Sequence, residues 1–513
     1  MTTRLQGLET EYGFAILPSP PEPDLEPYAL KLLDRLPKRL PCLPPTNGNG
    51  WFLANGARMY IDAGLHPEFA TPEVDNPFDA VRYQLAGDRL LEEAAAHCSA
   101  AAGGRWRMFL FKSNVDYLTG TTWACHESYG HRLDPRHLPA DLVPHLVSRI
   151  VYTGAGGLLP GGETIQFCLS PRAAHLVAEI SRESTSSRGI FHLKDESLAG
   201  PDWHRLHVLA GESLCSHRAA VLKLGTTALV VALAEAGLKP GGRVQLAHPL
   251  AALEAFNLDV EGRVTVPLHD GRCVTALDLQ RHYLGLVREH LENPLMPAWA
   301  PRLCQLWAET LAQLERGPAA VAGVLDWAIK RALHTEHLRQ RGCEPGELER
   351  WNQATKARPP SLPPPRAASF EAMLEAMAQH RASRGAQPPR DPEGFTSDQI
   401  RFYRQVRAEL AELEIRFAQL GPGGVFRELD AQGLLSHRLE GELSEASVCD
   451  AMQTAPARGR AGVRGRLIRE LVGQRLSCTC EWEGIHDRAG RFLDLSDPLR
   501  EEPPTWQAPR LEF

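Results

Sequence analysis

Proline is concentrated in three stretches of this 513-residue chain, and these stretches limit where helices and central strands can form. The first runs from Pro18 to Pro45, the second from Pro345 to Pro392, and the third begins at Pro498. Proline lacks an amide donor and clashes with the preceding helical turn, so dense runs of it favour loops and linkers. The second stretch is therefore predicted to be a helix-free surface insertion spanning about residues 343–395.

Composition narrows the class of protein. A chain of this length exceeds one ordinary hydrophobic core, and its 43% hydrophobic and 23% charged residues are typical of globular domains. A net charge of −7 gives no electrostatic case for nucleic acid as the main partner. We find no apolar run long enough for a membrane span and no signal-peptide pattern, and the 11 cysteines fit reduced thiols. We therefore expect a cytoplasmic protein.

Helical periodicity marks two segments. Residues 275–342 open with a Thr-Ala-Leu-Asp sequence that resembles a capping box. Residues 398–420 carry apolar side chains every three or four positions and stop at Gly421. The predicted division is a large domain over 1–423, which contains the insertion, and a small C-terminal domain over 424–513 that ends in strands near 476–482 and 491–495.

The segment from Leu5 to Phe14 is predicted to be a strand, and its stretch from Gly7 to Gly13 carries two acids on one face. Side chains alternate along a strand, so Glu9 and Glu11 point the same way. Carboxylate oxygens are ligands that suit Mg²⁺. A solvated edge strand would show the same pattern, and the residues alone leave both interpretations open.

A second strand, predicted over residues 51–63, has a row of three functional side chains. Arg58, Tyr60 and Asp62 share one face, opposite apolar neighbours. Arginine can bind phosphate oxygens, and a carboxylate can bind metal or accept a proton. A plain surface ion pair between Arg58 and Asp62 explains the pattern equally well. After the strand, a turn at Pro67 brings round Glu68 and Thr71.

Other polar patterns are less specific. A third strand with Lys112, Asn114 and Asp116 on one face is predicted from alternation with phenylalanines. The sequence from His126 to His131 misses the metalloprotease spacing by one residue, so we reject that class. The basic run at residues 458–469 fits a solvated face by default, with nucleic acid, ATP phosphates or an acidic partner as alternatives.

Several of these motifs occur in one characteristic order: ETEYG at 9–13, NGARMYID at 55–62, HPEFATPE at 66–73, FKSNVD at 111–116, CHESY at 125–129, LKLGTTALV at 222–230 and DWAIKRAL at 326–333. In this order they closely resemble the Pup ligase/depupylase family, a group of glutamine synthetase-like carboxylate–amine ligases. The resemblance covers nearly the whole chain and is interrupted by the proline-rich stretch.

The resemblance implies an α+β fold in which a curved, mainly antiparallel sheet cradles ATP beneath helices, with a small C-terminal domain. It also implies that ATP phosphorylates the side-chain carboxylate of the C-terminal Glu of Pup, a small protein modifier, and that a substrate Lys amine then forms an isopeptide bond. The family's hydrolases reverse that bond or deamidate a C-terminal Gln. Implied partners are a Pup-like modifier and Lys-bearing proteins, with no nucleic acid or membrane.

The resemblance also implies roles for individual residues. Magnesium ligands would be Glu9, Tyr60 and Glu68, ATP contacts would be Arg58, Thr71 and Trp482, and the catalytic carboxylate would be Asp62.

The direction of the reaction is less strongly marked than the family. The 14–50 connection is short, as in the ligases, and HPEFAT and DWAIKRAL also favour ligation, whereas LKLGTTALV and Arg188 to Ile190 favour the depupylases. Departures at 216–220 and at Lys194-Asp195-Glu196 leave the identity of the modifier open. Ligation is the predicted reaction. The alternatives are a depupylase or deamidase, a divergent relative acting on another peptide, and a non-catalytic ATP-binding scaffold.

Overall fold

The computed structural model describes residues 4–19, 24–62, 64–181, 188–192, 203–356 and 391–508. Its largest sheet has nine strands, and only the outermost pair runs parallel. In spatial order the strands are β11 (Ala178–Ser181), β12 (Gly189–His192), β13 (His204–Val208), β8 (Cys125–His131), β1 (Gln6–Glu11), β6 (Pro67–Ala70), β5 (Arg58–Ile61), β4 (Trp51–Leu53) and β3 (Cys42–Leu43). The predicted α+β class with a large, mainly antiparallel sheet is confirmed.

The helices are distributed between one large core, which they form with the apolar face of this sheet, and smaller separate clusters. They are α1 (Glu26–Leu33), α2 (Pro77–Ala101), α3 (Leu138–Ser148), α4 (Ile150–Thr153), α5 (His217–Glu235), α6 (Pro249–Leu258), α7 (Ala276–Glu289), α8 (Ala300–Glu315), α9 (Asp326–Gln340), α10 (Pro345–Thr355), α11 (Ser397–Phe417), α12 (Val425–Ala431), α13 (Glu445–Ala451) and α14 (Gly459–Gly473). Smaller sheets pair β2 (Gly13–Leu17) with β7 (Arg107–Phe111), β9 (Gly157–Leu158) with β10 (Phe167–Cys168), β14 (Val266–Pro267) with β15 (Cys273–Val274), and β16 (Cys478–Glu481), β17 (Gly484–Asp487) and β18 (Phe492–Asp494) with one another.

The α5 helix is apolar on nearly every side. Among the described residues it is the one helix long and apolar enough to cross a bilayer by length and composition, although the sequence analysis found no apolar run of that length. In the fold, 83% of the apolar 18-residue segment of this helix is buried. The helix packs against α2, α3, α4, α7 and α8, so its composition is that of a central core helix.

The helical predictions are confirmed with their end signals. Residues 275–342 form α7, α8 and α9, and Thr275 and Asp278 make a reciprocal capping box at the start of α7. The predicted 398–420 helix is α11, which begins after a second capping box at Thr396 and ends before Gly421. Gly421 has φ +80°, a conformation that glycine adopts without strain.

The strand predictions are correct in place and too long. The predicted first strand divides at Tyr12, whose buried hydroxyl donates to Asp88 at 2.6 Å, and β1 and β2 join different sheets. The predicted second strand divides into β4 and β5 around a turn in which Gly56 has φ +87°. Alternation of apolar and polar residues shows which side chains share a strand face, but it does not show where the chain passes from one sheet to another.

The third predicted strand ends before its polar residues. Strand β7 stops at Phe111, and Lys112 is buried in an ion pair with Asp88, Nζ to Oδ2 2.9 Å. Asn114 pairs with the backbone of Ser213, accepting at 2.7 Å and donating at 3.1 Å. These polar groups stabilise the interior and do not form the predicted polar strand face.

The start of the proline-rich stretch is helical, and the prediction of a helix-free insertion from 343 to 395 is wrong there. Pro345 lies at the first position of α10, where a missing amide donor costs nothing. Trp351 is fully buried and stacks on Tyr403 of α11, with ring centroids 5.0 Å apart. Its indole N–H donates to the Glu163 carbonyl at 2.9 Å. Residues 357–390 of the stretch lie outside the described part of the chain.

The C-terminal part of the chain, from residue 424, is divided among three hydrophobic clusters, one of which joins Phe426 to Phe417. Val448 and Met452 belong to the large core, whereas a separate cluster joins Val463, Ile468 and Ile485 to residues of β3 and β4. The two strands predicted there, near 476–482 and 491–495, correspond to β16 and β18, and β17, which was not predicted, lies between them in the sheet. The domain boundary at 423/424 stays a prediction, and we propose that the separately packed unit begins nearer to α14.

Replacing Trp351 with alanine tests whether α10 belongs to the fold. Because the ring is fully buried and stacked, Trp351→Ala is expected to lower the free energy of unfolding by about 3–5 kcal/mol. Chemical denaturation measures this change. Leu118→Ala, at a side chain 91% exposed, is the control and should change stability by less than about 0.5 kcal/mol. An unchanged midpoint for Trp351→Ala would make α10 peripheral.

Candidate active site

The central strands carry a polar face opposite the core. In the strand register Glu11 of β1 lies beside Glu68 of β6, and Glu68 lies beside Tyr60 of β5. Residues paired across antiparallel strands point to the same face. The alternate residues Phe69 and Met59 point the other way and are at most 1% exposed. The predicted alternation therefore places acids and a phenol on one surface.

A second row of this face runs through Glu9. His126 of β8 pairs with Glu9, which pairs with Ala70 of β6, which pairs with Arg58 of β5. The Arg58 guanidinium carbon lies 4.6 Å from the centre of the Tyr60 ring and 5.0 Å from that of Phe52. These rings hold the Arg58 guanidinium two strands away from Glu9. Arg58 makes no ion pair with Asp62, so the simple surface pair is not what the structure contains.

The acids on this face are crowded, and their protonation reflects it. Burial first, and then the charges of Glu9 and Glu11, raise the pKa of Glu68 well above its usual value. Burial likewise raises the pKa of Tyr60, with Glu68 adding to the effect. The phenol therefore stays protonated and donates a hydrogen bond to Glu68. A cation placed among these oxygens would relieve both desolvation and repulsion.

Asp62 follows β5 and is held in a single orientation by a tight turn. Its Oδ1 accepts the backbone N–H groups of Gly64 and His66, each at 2.7 Å, and Oδ2 is 3.0 Å from His66 Nδ1. Leu65 in the same turn has φ +63°, unusual for a residue with a side chain. Ligand atoms of Glu11, Asp62 and His66 lie within 4.8 Å of one another.

Arg205 and His207 of β13 are site residues that sequence reasoning missed. An Arg205 nitrogen is 2.7 Å from Glu9 Oε1 and 3.1 Å from His207 Nδ1. Ligand atoms of Glu9, His126 and His207 also lie within 4.8 Å of one another. Burial, with His207 adding to the effect, lowers the pKa of His126 well below its usual value, so this imidazole is neutral at neutral pH. The signal was present in the alternation of Arg205 and His207, but their partners lie far away in sequence.

A pocket of about 100 Å³ lies between the sheet and the C-terminal strands. Glu9, Thr71, Arg205 and Trp482 are among its lining residues. Thr71 Oγ1 accepts the Leu8 N–H at 3.0 Å, which fixes that side chain against β1. The pocket combines apolar walls with an arginine at the edge of the acidic face, which suits a ligand with a flat ring and a charged tail.

The predicted site residues fall into three adjoining groups. Of these, Glu9, Thr71 and Trp482 line the pocket, whereas Arg58, Tyr60 and Glu68 lie on the neighbouring rows of the sheet face. Asp62 lies at the end of the same strand as Arg58 and Tyr60. The fold thus brings residues from widely separated motifs to one surface, while their assigned roles remain predictions.

Comparison with known proteins gives a consistent family. A family model described as Pup-ligase protein matches residues 4–353 and 398–486. A Pup–protein ligase of Rhodococcus erythropolis is 32% identical over 88% of this chain and 87% of its own. A Pup deamidase/depupylase of Mycolicibacterium smegmatis is 40% identical, over 56% of this chain and 58% of its own. The family model leaves out 354–397, a shorter interruption than the predicted 343–395.

Solved structures share the fold. The ligase PafA, in a crystal structure of its complex with the prokaryotic ubiquitin-like protein Pup, superposes with a TM-score of 0.74 at 23% identity, over 98% of this chain and 90% of that one. PafA in complex with ADP gives 0.68 at 24% identity, over 89% and 88% of the two chains.

Neutralising Glu68 is expected to stabilise the fold when no divalent cation is present. Because the folded-state pKa of Glu68 is raised, its contribution to stability is fully present below the unfolded pKa near 4.5 and is lost as pH rises through the folded value. Glu68→Gln keeps the acceptor for Tyr60 and avoids that loss. In chelator it should unfold at higher denaturant than the wild type at neutral pH, and the gap should close toward pH 4. A less stable variant at every pH would contradict the proposed repulsion.

Proposed function

The chain belongs to the Pup-ligase family, and from that membership we propose that it uses ATP to join a Pup-like modifier to target proteins. The bond formed links the side-chain carboxylate of the modifier's C-terminal Glu to a substrate Lys as an isopeptide. The observation that carries this proposal is the position of Asp62. It is fixed beside Glu11 and His66 at the end of the strand that also bears Arg58 and Tyr60.

The first half-reaction activates the carboxylate. The γ-phosphoryl group of ATP passes to a carboxylate oxygen of the modifier, the bond to the bridging oxygen breaks, and ADP leaves. Arg205 lines the pocket and Arg58 lies on the adjoining sheet face, and both offer planar guanidinium groups to phosphate oxygens. Trp482 supplies an aromatic wall for the base, and Thr71 a hydroxyl beside β1.

The second half-reaction uses the fixed carboxylate. The substrate amine must lose a proton as it attacks the acyl carbon and phosphate departs. Asp62 accepts that proton, since its turn holds one face of the carboxylate and His66 the other oxygen. Glu11 beside it adds negative charge that attracts the substrate ammonium. Because the pKa of Glu11 is raised by burial, that attraction strengthens with pH.

The donor set fits magnesium at Glu9, Tyr60 and Glu68. All three offer oxygen, and a hard divalent cation would relieve the burial of charge and the mutual repulsion that together raise the pKa of Glu68. Tyr60 would bind as a neutral phenol, and Glu9 would exchange its contact with Arg205 for the cation. Magnesium, when bound, supplies neutralisation of phosphate charge.

Hydrolysis of the same bond is the second candidate activity. The 40% identity to a deamidase/depupylase supports it over just over half of the chain. The short 14–50 connection and the 32% match to a ligase over 88% of the chain support ligation. We place either reaction in the cytoplasm, where ATP is available and the 11 free cysteines stay reduced.

The two activities separate in one assay. Purified protein is mixed with ATP, Mg²⁺, a lysine-bearing protein and an acidic modifier ending in Glu or in Gln. A ligase releases ADP and phosphate and forms a conjugate only with the Glu form, as read by mass spectrometry. A hydrolase cleaves preformed conjugate and deamidates the Gln form. Failure of the wild type in all of these reactions would reject the proposed function.

Asp62→Asn tests the general base. The amide keeps the Oδ1 acceptor for the turn but cannot take a proton, so turnover should fall about 10²–10⁴-fold while ADP affinity stays near wild type. Asp487→Asn is a matched control, because Asp487 Oδ1 also accepts N–H groups two and four residues ahead. It should retain turnover. Near-normal turnover in Asp62→Asn would remove Asp62 from the chemistry.

A further inference from the structure

The basic run at 458–469 lies on α14, and two of its arginines hold a single carboxylate. Glu73 follows β6, and its two oxygens lie 2.7 Å from Arg460 Nε and 2.7 Å from an Arg464 terminal nitrogen. We call these three residues the Glu73 clamp. Burial alone would raise the pKa of Glu73, yet the guanidinium groups of Arg464 and Arg460 lower it to about 2. The default expectation of a solvated face is therefore wrong for Arg460 and Arg464, which are 3% and 0% exposed.

Arg464 also reaches the aromatic wall of the pocket. Its guanidinium carbon lies 4.8 Å from the centre of the Trp482 ring, and the same side chain donates to the Gly56 carbonyl at 2.9 Å. Phe52 meets the Trp482 ring edge-on at 5.3 Å. Trp482 is thus fixed on one side by a cation whose own direction is set by Glu73.

Close packing leaves α14 little freedom to compensate. A Cβ on Gly465 would lie 2.6 Å from the Ala54 carbonyl oxygen, so the helix approaches the β4–β5 turn at backbone distance. Glu73 comes two residues after Thr71, and both line the pocket with Trp482. The segment that follows β6 therefore supplies the Thr71 hydroxyl to the pocket. Two residues later it supplies the Glu73 carboxylate, which holds Arg464 against Trp482 on the other side of the pocket.

We propose that Glu73 and Arg464 are positioning residues that hold the Trp482 ring in the orientation needed to stack on the nucleotide base. This inference rests on the proposed nucleotide-binding function and adds to it a link between the strand that follows the acidic face and the C-terminal strands. A cation over one face of an indole favours a fixed ring, and a planar guanidinium held by a carboxylate keeps that geometry. The clamp acts on base affinity and leaves the reacting groups untouched.

A double-mutant cycle on ADP binding tests the proposal. Calorimetry compares the wild type, Glu73→Gln, Trp482→Leu and the double variant. Loss of base stacking should weaken ADP binding by about ten-fold or more in Trp482→Leu. Glu73→Gln should weaken it by about three- to ten-fold, and the double variant should be no weaker than Trp482→Leu, because the clamp works only through that ring. In turnover assays Glu73→Gln should raise KM for ATP and leave kcat within about two-fold.

Two further variants distinguish a positioning role of Glu73 from an effect on the stability of the fold. Glu163→Gln removes another carboxylate that an arginine holds. The Glu163 oxygens accept from Arg404 at 2.6 and 3.0 Å, and Glu163 does not line the pocket, so this variant should leave ADP affinity unchanged. If Glu73→Gln does not fold, Arg464→Lys takes its place. Lysine keeps a positive charge beside Glu73 but lacks the planar group over Trp482, so this variant should reproduce the loss of affinity.

The outcomes separate this inference from the proposed function. Additive losses, or unchanged affinity in Glu73→Gln and Arg464→Lys beside a weakened Trp482→Leu, would overturn the clamp alone. A wild type that binds no ADP, or a Trp482→Leu variant that binds as well as the wild type, would overturn the nucleotide site and the clamp with it.

Discussion

The crowding of acidic side chains on one face of the central sheet is the constraint to which the rest of the site responds. Glu9, Glu11 and Glu68 come from neighbouring positions of two paired strands, and Asp62 follows the next strand. Such a set cannot be buried as free anions, so each acid has an individual compensation. Glu9 has Arg205, Glu11 has the Ala124 backbone amide, Asp62 has backbone amides and His66, and Glu68 has the Tyr60 hydroxyl and a raised pKa. These contacts give each acid a partner within the protein itself.

The sequence predicts those parts of the fold that depend on local patterns. Capping boxes, apolar stripes and alternating strands are local, and α7, α11 and β5 appear where their patterns lie. The errors arise where a distant contact overrides the pattern. Lys112 leaves its predicted strand face because Asp88 on α2 captures it, and α10 persists among prolines because Trp351 stacks on Tyr403.

The same distinction applies to the site. Glu9, Tyr60, Asp62 and Glu68 can be found from strand alternation and from resemblance to a family, since each lies in a compact motif. Arg205, His207 and the Glu73 clamp cannot, because their meaning depends on register between strands and on a helix hundreds of residues away. Two of the basic residues that look like a solvated surface in the sequence, Arg460 and Arg464, are 3% and 0% exposed in the fold.

The α5 helix has a consequence for how the chain reaches its native state. Its packing partners lie on both sides of it in sequence: α2, α3 and α4 precede it, and α7 and α8 follow. During synthesis the helix leaves the ribosome before its later partners exist, and until α8 has emerged it presents a 19-residue apolar segment. That segment is what chaperones and membrane-insertion machinery bind. The large core joins α5 to elements on both sides of it in sequence, so it can be completed only after α8 has emerged.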